Sequence, residues 1–218
     1  MTLQKVLWKS TIALICVELG LALAYLTMIF RQGEVAALFD FDGLRSLPSL
    51  LQAAHLFTIG GLCLLLLVLR RQMVRPCSWF LPSAVATLCF YACLDELTKL
   101  HIMLDQFNWK LIYLGLLIGI PLLGWRDLVW AWLHHRTTVL WVGMGLGVFL
   151  MGGFGAEMLK GVIASGLSAH SSDKVVFLSE HLRITVEEFA ELLGETLMLY
   201  AFAQFTLETL QLSKQRAI

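Results

Sequence analysis

Six apolar stretches separated by short polar connections lay out the chain: residues 7–30, 49–69, 79–98, 109–125, 138–159 and 186–210. Crossing a bilayer takes roughly 20 residues of helix, and each stretch approaches or reaches that length. Backbone amides in lipid must be satisfied within their own segment, so every stretch should be a helix. The pattern predicts an all-α fold, an integral membrane bundle of six transmembrane helices. It forms one polytopic domain over 1–218, without internal repeats or low-complexity tracts.

The connections add detail. In the first, Asp42-Gly43 reads as a turn, and Pro48 suits the first turn of the second helix. In the last, Ser172-Asp173 is expected to cap a short amphipathic helix carrying Val176, Phe177 and Leu182 along the membrane surface. Glycines recur at 143, 145, 147, 152, 153 and 155, and at 115 and 119. Small residues let helices approach closely in lipid, so this pattern predicts tight packing of the fourth and fifth helices. A glycine-lined pathway is the alternative.

Composition names the solvent. Of 218 residues, 58% are hydrophobic and only 15% charged, more apolar surface than a water-soluble chain of this length can hide. The expected partner is the lipid bilayer, with neighbouring membrane proteins or further copies of the chain beside it. Sixteen basic and sixteen acidic residues cancel, so no nucleic-acid footprint is present. Stretch 7–30 is too long for a cleavable leader's apolar region, and no Ala-x-Ala follows it. Cys16, Cys63, Cys77, Cys89 and Cys93 lack CxxC spacing, and four lie in apolar runs. A disulfide framework or a cysteine zinc site is not expected. Arg70, Arg71 and Arg75 crowd one short connection, which favours both termini being cytoplasmic.

With that topology, the unusual polar residues gather in the outer third of the bundle. Glu188, Glu191 and Glu195 stand at i, i+3 and i+7 on one face of the last helix. Asp95 and Glu96 end the third helix with His101 just beyond, Glu157 ends the fifth, His55 lies in the second turn of the second, and His181 precedes the sixth. Some have purely structural readings. Thr185-x-x-Glu188 matches a capping box, and Asp95–Lys99 and Glu157–Lys160 match helix ion pairs. Glu191 and Glu195 resist such readings because they lie turns inside the apolar run. Glu18 lies near mid-depth of the first helix, where a protonated carboxyl bonded to a neighbouring helix is expected.

The acids outnumber nearby cations, so either protons or a metal must compensate them. Carboxylates with imidazole suit iron, manganese or zinc. The predicted divalent-metal ligands are drawn from Asp95, Glu96, His101, Glu157, Glu188, Glu191 and Glu195, with His55, His181 and Glu18 as additional candidates. The set lacks the paired Glu-x-x-His of di-iron bundles, and no Gly-x-Ser-x-Gly or His-Glu-x-x-His occurs. The leading expectation is a membrane-embedded metal enzyme acting on a lipid or quinone. The alternatives are a small proton- or cation-coupled transporter and a scaffold or accessory subunit.

Three motifs, Phe39-Asp-x-Asp-Gly43 with Leu47-Pro48, Asp95-Glu96-x-x-x-x-His101, and Glu187-Glu-x-x-Glu191 with Gly194, together resemble those of a group of uncharacterised bacterial multi-pass membrane proteins. The resemblance implies an inner-membrane location and adds no activity.

Overall fold

The computed structural model describes residues 3–41, 43–70, 78–100, 109–168 and 172–216, the side chains of 109, 110, 154, 157–168 and 212–216 excepted. Among the described residues the regular structure is helical throughout. The helices are α1 (Leu3–Gln32), α2 (Leu47–Leu69), α3 (Phe80–Thr98), α4 (Trp109–Leu123), α5 (Trp125–His134), α6 (Arg136–Ser168) and α7 (Asp173–Arg216). A single 3-10 turn, Ala37–Phe39, lies between α1 and α2.

The expectation of six spans is met only in part. α1, α2, α3 and residues 136–153 of α6 are long and apolar enough to cross a membrane; α4 with α5 makes up to five. The fourth stretch is bent by 68° between α4 and α5. Pro121 lies inside α4 and offers no amide to its helix. Gly124 joins the two helices, and a Cβ there would stand 2.9 Å from the Leu81 side chain. Asp127, in the first turn of α5, then accepts a 2.9 Å hydrogen bond from the Ser78 amide and a second bond from its hydroxyl.

The sixth stretch is not among the membrane-length apolar helices. It belongs to α7, a continuous 44-residue helix that also contains the expected surface helix. Ser172 does start it: its carbonyl accepts from Val175 and Val176 at 2.8 and 3.2 Å. No glycine or proline interrupts residues 173–193. Arg183, one turn from both Glu180 and Glu187, donates to each, and such spacing supports a helix through this point. Its hydrogen bonds to Glu180, with the Glu187 charge, hold the guanidinium above its ordinary pKa. The capping box is consequently absent. Thr185 lies inside the helix, and its hydroxyl bonds back to the His181 carbonyl at 2.7 Å.

α7 is the axis of the bundle. α6, α1 and α2 all pack on it, and Leu192, Gly194, Glu195 and Thr196 are buried on successive sides. α1 meets it through Thr11, Glu18, Ala22, Tyr25 and Ile29, a stripe spaced by three, four and seven residues as one helix face requires. α6 meets it through glycine. A Cβ on Gly145 would stand 2.6 Å from the Gly194 carbonyl, one on Gly194 would stand 2.6 Å from the Gly145 carbonyl, and Gly152 closes on Ala190. Gly115 and Gly119 of α4 have nothing within 4 Å, so the tight crossing joins the fifth and sixth stretches instead of the fourth and fifth. At one end Trp8, Trp141 and Tyr200 tie α1, α6 and α7 together, with ring centroids 5.3–6.1 Å apart. At the other, Phe41 of the first connection is buried edge-on against Tyr25.

Candidate functional site

The register of α2 is set at its start, where the Ser46 hydroxyl accepts from the Ser49 amide at 3.4 Å and Pro48 occupies the first turn. From there Gln52, His55, Ile59 and Cys63 fall on one buried face. The apolar members join the core with α3. The polar members turn toward α7 and α1.

His55 lies between two carboxylates from two other helices. Its Nε2 is 3.9 Å from Glu18 Oε1 and its Nδ1 is 3.7 Å from Glu195 Oε2, and all three side chains are at most 4% exposed. Glu18 is the sixteenth of the 30 residues of α1, which is mid-depth of a spanning helix. The Thr196 hydroxyl donates to its Oε1. On the next turn of α7, Glu191 Oε2 accepts from the Gln52 amide at 3.1 Å, and Gln52 also stands beside Glu195. Glu18 Oε2, both imidazole nitrogens and both Glu195 oxygens form no hydrogen bond. The two ring nitrogens point in opposite directions, so a proton taken up at one can leave from the other. The same geometry keeps one ion from binding both nitrogens.

Residues 10–205 match the family described as Domain of unknown function (DUF8692). The chain belongs to this family. No curated protein matches it, and no solved structure does.

The other predicted site residues of this DUF8692 chain are divided among separate partners. Asp95 is buried and accepts from the Tyr113 hydroxyl of α4 at 3.1 Å. Glu96 binds Lys99 Nζ at 2.5 Å, while its carbonyl accepts from the Ser49 hydroxyl at 3.2 Å. Glu96 lies within electrostatic reach of Glu191 and Glu195. Glu188 is half-buried, one turn before Glu191. His181 shares a 2.7 Å hydrogen bond with the Tyr25 hydroxyl and packs edge-on against Phe177. His101 and the side chain of Glu157 lie outside the described residues. Among the described residues, no three His, Cys, Asp or Glu side chains converge as metal ligands.

Two of the three central residues, Glu18 and His55, entered the sequence reading only as additional candidates. Gln52 and Thr196 were not singled out. Their signal was present: Gln52 is one turn before His55, and Thr196 adjoins Glu195 within an apolar run. A second polar group at the Trp8 end of the bundle was also missed. His135 Nδ1 lies 3.6 Å from Glu208 Oε2, which accepts through Oε1 from Gln204 at 3.0 Å. His135 is 69 residues from Gln204 and 73 from Glu208 in sequence, and only the folded helices bring it to them.

Proposed function

We propose that this protein is a small proton-coupled transporter of the bacterial inner membrane, with both termini cytoplasmic, in which Glu18, His55 and Glu195 relay protons through the middle of the bundle. One observation carries the reading: a buried imidazole with a carboxylate on each edge, drawn from three helices. Ionisable groups at this depth are costly, and function is the usual reason they persist. Carboxylates and imidazole exchange protons readily, and a histidine with two addressed nitrogens can pass one along.

A pH jump on liposomes carrying the purified protein tests this reading. Wild type should give a transient displacement current as protons enter the relay, and Glu195→Gln should reduce it by at least about tenfold. A wild-type signal no larger than that of empty liposomes overturns the relay. Elemental analysis of the same sample checks the divalent-metal reading. Stoichiometric iron, manganese or zinc, lost in Glu195→Gln, would favour a metal-dependent enzyme over a transporter. Orientation has its own measurement. In a cysteine-free background, Glu34→Cys should react with an impermeant maleimide from outside, and Lys5→Cys only after permeabilisation. Both residues are exposed, and labelling of both from one face contradicts the assigned path.

A further inference from the structure

A cavity of about 290 Å³ lies between α2–α3 and α6–α7, with α4 and α5 along its side. Its exposed wall is apolar throughout. Along α7 it runs from Glu195 to Phe205, ten residues or about 15 Å of helix. α4 and α5 make few contacts with the other helices, so this side of the cavity is the least tightly packed. At the far end stand Asp127 and His135, each engaged with a partner, Ser78 and Glu208 respectively. At the near end is Glu195, 1% exposed, whose carboxylate lies beside Gln52 and 3.7 Å from His55 Nδ1. An apolar chamber with a buried carboxylate just behind its wall at one end complements one kind of molecule: an apolar body bearing a single positive charge.

We propose that this cavity binds a lipophilic organic monocation, with its apolar body against α4 and α5 and its charge at Glu195, and that the cation and a proton are alternative occupants of that carboxyl group. The inference rests on the relay reading and names the substrate class of the same site. As the cation arrives, the Glu195 O–H bond breaks and its proton passes to His55 Nδ1 and on toward Glu18. The ion pair replaces the O–H bond, and the charge of the carboxyl group with its occupant is unchanged. Release of the cation requires the proton to return, so the two exchange across one residue. The groups that face Glu195 are Glu18 from α1, His55 from α2, Glu96, Cys89 and Cys93 from α3, and Glu191 from α7 itself. The described side chains of α6 near it, Leu146 and Phe149, are apolar.

Equilibrium binding of radiolabelled tetraphenylphosphonium to the purified full-length protein tests the proposal. Affinity should rise with pH, by up to about tenfold per pH unit where one proton is displaced per cation. Glu195→Gln should weaken binding at least about tenfold and flatten that dependence. Ala131→Trp fills the cavity from α5 without touching the relay. It should lose the cation while keeping the pH-jump current, so a loss from misfolding is recognisable. Tetraphenylsilane has the same shape without the charge and should not compete. Equal competition by the neutral probe, or affinity independent of pH, overturns the proposal. A wild-type protein that gives the pH-jump current but binds no tetraphenylphosphonium also overturns it, and leaves the relay standing. Absence of the current overturns the relay itself.

Discussion

Replacing His55 with glutamine should reduce the pH-jump current by at least about 100-fold, the scale on which a positioned acid–base group contributes to proton transfer. Glutamine keeps approximate length and hydrogen-bonding capacity, but its amide can neither accept nor release a proton near neutral pH. Glu18 and Glu195 are reached from opposite edges of the His55 ring, at 3.9 and 3.7 Å, so removing the ring interrupts the route between them while leaving both acids in place. Stability should change less than transfer does, by about 1–3 kcal/mol, the usual cost of leaving a buried polar group unmatched. The measurement is the current together with a thermal unfolding curve in detergent. A folded His55→Gln variant with wild-type current would show that protons bypass the imidazole.

The second large effect concerns the crossing of α6 and α7. Gly194→Ala should destabilise the bundle by about 1–3 kcal/mol or more. The added methyl would meet the Gly145 carbonyl at 2.6 Å, Phe149 Cβ at 2.8 Å and the Phe149 amide nitrogen at 2.9 Å. Two of these atoms are backbone, so no side chain can rotate away and the helices must separate. Gly147→Ala provides the contrast. Nothing lies within 4 Å of its added Cβ, and alanine is the better helix former by about 0.5–1 kcal/mol. Thermal unfolding should show opposite signs for the two variants. Shifts of equal size and direction would mean that the α6 and α7 backbones are not in contact at Gly145 and Gly194.

The two variants also mark how far a glycine pattern can be read. Gly145, Gly147, Gly152 and Gly155 look alike in the chain, yet Gly145 and Gly152 touch α7 while Gly147 and Gly155 face open space. Spacing shows that a helix has a small-residue face but not which partner meets it. That ambiguity produced the expectation that the fourth and fifth stretches pack together. The acids behaved in a similar way. Glu187, Glu191 and Glu195 lie in one short run, but Arg183 engages Glu187, Gln52 engages Glu191, and His55 faces Glu195. Charge in a membrane segment signals that a partner must exist, and says nothing of which helix supplies it.

What the sequence determined by itself was the solvent, the secondary structure and the identity of the costly residues. Hydropathy and backbone satisfaction in lipid are properties of single segments, so they can be read without knowing the neighbours. The bend at Gly124 and the continuity of α7 were partly legible too, in Pro121 and in the absence of any breaker from 173 to 193. Only the tertiary structure decided that α7 is the enclosed helix, and that Glu18, His55 and Glu195 meet although 37 and 140 residues separate them in turn. The physical reason is that helix association in lipid depends on surface fit and on pairing of polar groups between segments. Both are properties of two surfaces at once, and neither is encoded in the hydrophobic pattern of either helix alone.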